Sequence, residues 1–88
     1  MKWKIQYSRQ SKKFIDKNPI DSLDDLIVKA IKKVVNKERI NIDVKKMKGD
    51  WKGYYRIRQG DLRVVLKFQV RESIVEIYRI GWRGNVYK

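Results

Sequence analysis

Two alternating segments meet at Gln59-Gly60-Asp61, and this junction constrains the chain more than any other stretch of its sequence. Between Tyr54 and Val70, apolar and polar residues alternate up to the glycine and resume after it, the short-range signature of a tight β-hairpin. With Gly60 and Asp61 as the two central turn residues, Gln59 opposes Leu62, Arg58 opposes Arg63, Ile57 opposes Val64, Arg56 opposes Val65 and Tyr55 opposes Leu66. Side chains alternate faces with period two. Tyr55, Ile57, Leu62, Val64, Leu66 and Phe68 therefore share a core face, while Arg56, Arg58, Arg63 and Lys67 share a cationic one. Like charges directly opposite one another destabilise a strand pair, so this arrangement predicts a compensating charge from outside the fold.

The rest of the chain is organised around that hairpin. Trp3, Ile5 and Tyr7 alternate with Lys2, Lys4 and Gln6, the pattern of a short strand. Ser8 can cap a helix from Arg9 to Lys17, which Asn18-Pro19 ends because the residue before proline avoids helical geometry. Asp21 or Ser22 caps a second helix. Its first turn holds Asp24 and Asp25, its end holds Lys32, Lys33 and Lys37, and Leu23, Leu26, Ile27, Ala30, Ile31 and Val34 form one apolar stripe. Residues 36–51 read as a lysine-rich connection with room for a short strand or turn. Strands follow at about Gly53 to Gln59, Leu62 to Val70 and Ile74 to Ile80, with a turn around Arg71-Glu72 and a tail from Gly81 to Lys88. The order β-α-α-β-β-β predicts an α+β fold in one domain spanning residues 1–88, with both helices on one face of a mostly antiparallel sheet.

Charge narrows the function. The 88 residues hold 23 Lys plus Arg against 10 Asp plus Glu, a formal +13, which predicts an anionic partner with nucleic acid foremost. Residues 51–88 carry six of the eight arginines, and arginine presents a planar fork matched to phosphate oxygens. No run of about 18 apolar residues offers a membrane span, and no apolar stretch follows the N-terminus as a secretion signal requires, so a cytoplasmic protein is expected. Cysteine and histidine are both absent, which excludes thiolate sites, a conventional zinc centre and a histidine-based triad, so neither metal nor cofactor is expected. Asp50, Asp61, Glu72 and Glu76 form no carboxylate pair of the kind used in sugar hydrolysis.

Three readings of the basic face compete. Its arginines are the solvated side of a sheet, or they bind RNA passively with Tyr54, Trp51 or Trp82 stacking on bases, or they stabilise a phosphoryl-transfer transition state. Attack of a 2′-OH on the adjacent phosphate needs alignment, charge stabilisation and proton transfer. Guanidinium groups supply the second but not the third. Tyr87, Tyr54 and Tyr55 are the ionisable hydroxyls closest in sequence to the arginines, and Lys48 and Lys52 the neighbouring amines; Tyr87 is the best acid/base candidate among them.

The run Tyr54-Tyr55-Arg56-Ile57-Arg58-Gln59-Gly60-Asp61-Leu62-Arg63, preceded by Lys46 to Gly53 and followed by Tyr78-Arg79-Ile80-Gly81-Trp82-Arg83-Gly84-Asn85-Val86-Tyr87, resembles the RelE/ParE superfamily of toxins from toxin-antitoxin pairs. The resemblance covers nearly the whole chain. It implies a small toxin neutralised by a cognate antitoxin that wraps across sheet and helices and alone contacts operator DNA. In the RelE branch it implies entry into the ribosomal decoding site and mRNA cleavage by 2′-OH attack, with Arg56, Arg58, Arg63, Arg83 and Tyr87 around the scissile phosphate; Lys48, Lys52, Tyr54 and Trp82, beside these positions in sequence, are the expected RNA-binding residues. The ParE branch shares the fold and acts instead on DNA gyrase. The sequence departs from the pattern in two places. Arginine stands at 56 and 58 where lysine is common, and tryptophan stands at 82 where many relatives have histidine. Both changes remove groups that move protons.

Overall fold

A computed structural model describes residues 2–83. It contains β1 (Lys4–Tyr7), α1 (Arg9–Lys17), α2 (Leu23–Val34), β2 (Asp43–Lys46), β3 (Tyr55–Gln59), β4 (Leu62–Gln69) and β5 (Ile74–Trp82). The strands form one sheet in the order β1-β5-β4-β3-β2. β1 runs parallel to β5, and the other neighbours are antiparallel. The α+β arrangement with two leading helices is therefore the one the sequence predicts. It has an additional strand, β2, inside the stretch read as a connection. Alternation of Ile40, Ile42 and Val44 with Asn41, Asp43 and Lys45 is its signal.

The central hairpin has the predicted register, Tyr55 with Leu66 through Gln59 with Leu62. Gly60 has φ of +57° while Asp61 stays out of the left-handed region, the demand a type II′ turn makes of its first central residue. An L side chain there would be strained although nothing crowds the position.

One layer of core lies between α2 and the sheet. Leu23, Leu26, Ile27, Ala30 and Ile31 meet Ile57, Leu62, Val64, Leu66, Val75, Ile77 and Ile80, with Trp3, Ile5, Tyr7, Phe14 and Phe68 at its margins. These are the apolar stripe and the hairpin face that periodicity identifies. Burial of each large aliphatic side chain contributes about 1.5–3 kcal/mol, so the helix is held mainly by this stripe. Ser22 occupies the N-cap of α2 without a side-chain capping bond, whereas Ser8 caps α1 by accepting from the Ser11 N–H at 3.1 Å.

The last strand differs from the sequence reading in length and in regularity. It extends through Gly81 and Trp82, which the sequence assigned to a tail. Its register against β4 jumps between Val65–Arg79 and Leu66–Ile77, leaving Tyr78 as the extra residue of a β-bulge. Its buried apolar side chains accordingly fall at Val75, Ile77 and Ile80, a step of two and then three.

Beyond Tyr7 the chain leaves β5 for α1, and side chains of that helix satisfy the exposed strand edge. Ser11 Oγ, fully buried, donates to the Ile77 carbonyl at 3.0 Å, and Ser8 Oγ donates to the Tyr78 carbonyl. Gln10 completes the edge: its Nε2 donates to the Ile80 carbonyl at 2.9 Å, and its Oε1 accepts from the Ile80 N–H at 3.0 Å. Three polar side chains thus stand in for a missing strand. No helix in residues 2–83 is long and apolar enough to cross a membrane.

Candidate nucleic-acid interface

The face of the sheet opposite the helices carries the arginines. Asp43 of β2 pairs with Arg58 of β3, Arg58 with Arg63 of β4, and Arg63 with Gly81 of β5, so these residues make a row across four strands. A second row runs through Lys45, Arg56, Val65 and Arg79. Gly81, at the end of the first row, itself presents no side chain beside Arg63.

Asp43 is the acidic residue of this face that the sequence reading did not single out. Its two carboxylate oxygens face Arg58 Nε at 3.4 Å and Arg56 Nη2 at 3.6 Å. These separations exceed good hydrogen-bond lengths, so the contacts are ion pairs rather than hydrogen bonds. One charge within the fold therefore offsets part of the Arg58-Arg63 repulsion, on the Arg58 side, while Arg63 has no carboxylate among these ion pairs. Arg56 is mostly enclosed, at 17% side-chain exposure, while Arg58 is half open at 49%.

Arg63 and Arg83 converge on the hairpin turn from two sides. Arg63 Nη1 donates to the carbonyls of Gly60 at 2.7 Å and Leu62 at 2.9 Å. Arg83 donates its backbone N–H to the Asp61 carbonyl at 2.7 Å, and its Nε lies 3.3 Å from Asp61 Oδ1. Arg83 adopts φ of +57°, unusual for a side-chain-bearing residue. The Asp61 ion pair is open to water and adds little stability, so what orients Arg83 is its backbone bond.

Aromatic residues occupy the other end of the same face. The loop between β2 and β3 is closed by the Met47 N–H donating to the Tyr54 carbonyl at 2.9 Å, and a 3₁₀ turn at Gly49–Trp51 folds Trp51 back within it. Tyr54 therefore ends this loop, outside the strand predicted to start at Gly53. Lys48 and Lys52 are exposed at the two ends of the turn. Trp51, Tyr54 and Tyr78 then form a closed trio, with ring centroids 5.7, 5.6 and 5.3 Å apart.

Of the residues named from sequence, Arg56, Arg58, Arg63 and Arg83 come together near Asp43 and the turn. Tyr54, Lys48 and Lys52 lie at the far end of β3. Trp82 stands apart: it pairs with Leu62 on the helix side of the sheet, its ring 5.5 Å from Phe14. Tyr87 lies outside the described residues.

Residues 2–83 thus define a small α+β protein whose helices cover one sheet face and leave a guanidinium row on the other. No family model and no curated protein sequence matches the chain. Solved structures share its architecture. A chain of the archaeal RelE–RelB complex from Pyrococcus horikoshii superposes with a TM-score of 0.63 at 24% identity, over 98% of this chain and 100% of its own length. A chain of the YoeB–YefM complex from Staphylococcus aureus gives 0.66 at 20% identity, over 94% and 99%. The toxin-antitoxin complex RelBE2 from Mycobacterium tuberculosis gives 0.60 at 14% identity, over 94% and 100%. At these identities the likeness establishes a common fold: this chain has the fold seen in RelE-type toxin-antitoxin structures.

Proposed function

We propose that the chain is the toxin of a toxin-antitoxin pair and acts as an endoribonuclease on mRNA at the ribosomal decoding site. The observation that carries this reading is the row Asp43-Arg58-Arg63, which sets a carboxylate beside two guanidinium groups on the open face. In the proposed step the ribose 2′-oxygen attacks the adjacent phosphorus and the bond from phosphorus to the 5′-oxygen breaks. The products are a 2′,3′-cyclic phosphate and a 5′-hydroxyl. Arg58 and Arg63 stabilise negative charge gathering on the phosphate oxygens, with Arg56 and Arg83 flanking them. Asp43 takes the proton from the 2′-hydroxyl, a role no guanidinium can fill. The leaving 5′-oxygen takes a proton in turn, for which Tyr87 is the sequence candidate.

A cognate antitoxin follows from the same reading, since the neighbours with this fold were solved as complexes with RelB and YefM. The test is to express the chain with and without the protein encoded beside it and map mRNA ends on translating ribosomes. New 5′-hydroxyl ends during growth arrest support the reading, and intact messages overturn it. A supercoiling assay with purified gyrase separates it from the ParE-like alternative, which predicts inhibition without RNA cuts.

A further inference from the structure

The aromatic trio is not needed for phosphate chemistry, yet it lies on the same face as the arginines. Lys67, paired with Glu76 across β4 and β5, sits four residues beyond Arg63 in sequence. At about 3.4 Å per residue this places Lys67, beside the trio, about 14 Å along the strand from the Arg58-Arg63 pair. Lys67 Nζ stands 5.5 Å from the Tyr54 ring centroid, and the Arg79 guanidinium carbon stands 5.9 Å from that of Trp51 and 5.7 Å from that of Tyr78. Cations and aromatic rings are thus interleaved, while Glu76, paired with Lys67, is the acidic residue in register with the patch.

One observation gives the trio a packing role and a second leaves it a surface to offer. Val65 is fully buried on this face although it lies outside the helix-side core, so the face supports a small apolar layer of its own. Tyr78 nevertheless remains 36% exposed, at the bulge of β5 where it and Arg79 share this face. An exposed ring fixed by two aromatic neighbours, and flanked by guanidinium and ammonium groups, has the chemistry of a surface on which a nucleobase stacks.

We infer that Trp51, Tyr54 and Tyr78, railed by Arg79 and Lys67, form a base-stacking subsite for single-stranded RNA, continuous with the phosphate site at Arg58 and Arg63. The identity of the ligand rests on the ribonuclease reading, but binding here requires neither cleavage nor a ribosome. Tyr78 supplies the open ring surface. Trp51 and Tyr54 hold it in place, and the cations on either side attract the backbone of the same strand. Such a platform is tolerant of base identity, because every base has a π-face.

The experiment measures the purified chain binding an octauridylate and an abasic octamer of equal charge, at two salt concentrations. The native chain should bind the base-bearing oligomer more tightly. Tyr78→Ala should weaken octauridylate binding about tenfold, in the range of a lost stacking contact, with no change for the abasic oligomer. Tyr78→Phe should restore affinity to within about twofold, since the ring and not the hydroxyl is required. Arg63→Ala should weaken both oligomers and lower the salt slope. Circular dichroism and thermal unfolding establish that each variant is folded. Equal affinity of the native chain for the two oligomers overturns the proposal, as does a folded Tyr78→Ala variant that binds octauridylate normally; the trio would then shield Val65 or meet an acidic protein surface. Intact mRNA on ribosomes together with base-dependent binding would refute the cleavage reading and leave this subsite standing.

Discussion

Asp43 faces Arg58 across β2 and β3, and its second oxygen reaches Arg56 on the same strand. One carboxylate thereby offsets two guanidinium groups and sits beside the Arg58-Arg63 repulsion that the hairpin imposes. Its removal has consequences of opposite sign for binding and for chemistry. Asp43→Asn keeps the shape and deletes the charge, so RNA should bind several-fold more tightly in low salt while stability falls by no more than about 1 kcal/mol. Cleavage on ribosomes should drop by about 10²–10⁴-fold, the usual contribution of a general base. Tighter binding with undiminished cleavage would remove Asp43 from the proton path.

Arg63 should be intolerant of lysine. Its Nη1 is committed to the Gly60 and Leu62 carbonyls, which fixes the guanidinium plane and aims its remaining donors. A single ammonium cannot make those bonds and engage a phosphate in the same geometry. Cleavage by Arg63→Lys should therefore fall about 10²-fold or more, comparable to loss of an oxyanion donor, with the fold intact by circular dichroism. Activity near that of the native chain would show that charge alone suffices there.

Ser11 has a structural role that urea unfolding can measure. It is fully buried on α1, and its hydroxyl bonds the Ile77 carbonyl at the edge of β5 where β1 has ended. Ser11→Ala should cost about 1 kcal/mol, because the same carbonyl also accepts from the Ser8 N–H and is not left orphaned. Gln10→Ala removes both polar partners of Ile80 on that edge and should cost more, about 1–3 kcal/mol. Equal and negligible losses would mean that water replaces α1 along the edge.

Alkaline pH should expose the environment of Tyr7. Burial pushes its phenol above the ordinary tyrosine value, and the Asp24 carboxylate reinforces the shift by opposing a second negative charge. The folded state therefore holds this proton more tightly than the unfolded chain does. The corresponding stability is complete below about pH 10, the unfolded value, and is lost as pH rises through the folded one. Native protein should lose stability relative to Tyr7→Phe above about pH 10 in parallel urea titrations. A constant difference between the two across that range would place the phenol in ordinary solvent.

The sequence was informative where structure is local. Hairpin register follows from a glycine that can adopt positive φ and from side chains that alternate with period two, so the Arg58-Arg63 pair and the core face of β3 and β4 were both legible. The stripe of α2 was legible for the same reason, since helical periodicity needs only neighbours in sequence. Asp43 was not. It is one carboxylate in a lysine-rich stretch, 15 positions before Arg58, and its importance appears only when β2 becomes the neighbour of β3.

Trp82 and Tyr78 show the same division more sharply. Both are exposed aromatic residues of one strand, as the sequence suggested for Trp82, but they stand on opposite faces of the sheet. A one-residue bulge shifts the alternation of β5, so that Tyr78 and Arg79 share the arginine face and Trp82 is seated against Phe14 on the helix side. The sequence by itself determined the hairpin, its turn and the charge of its outer face, because those depend on steric and hydrophobic preferences of residues adjacent along the chain. Tertiary structure decided which carboxylate neutralises that charge and which aromatic stands beside it, because strand order and a bulge are settled by packing among residues far apart in sequence.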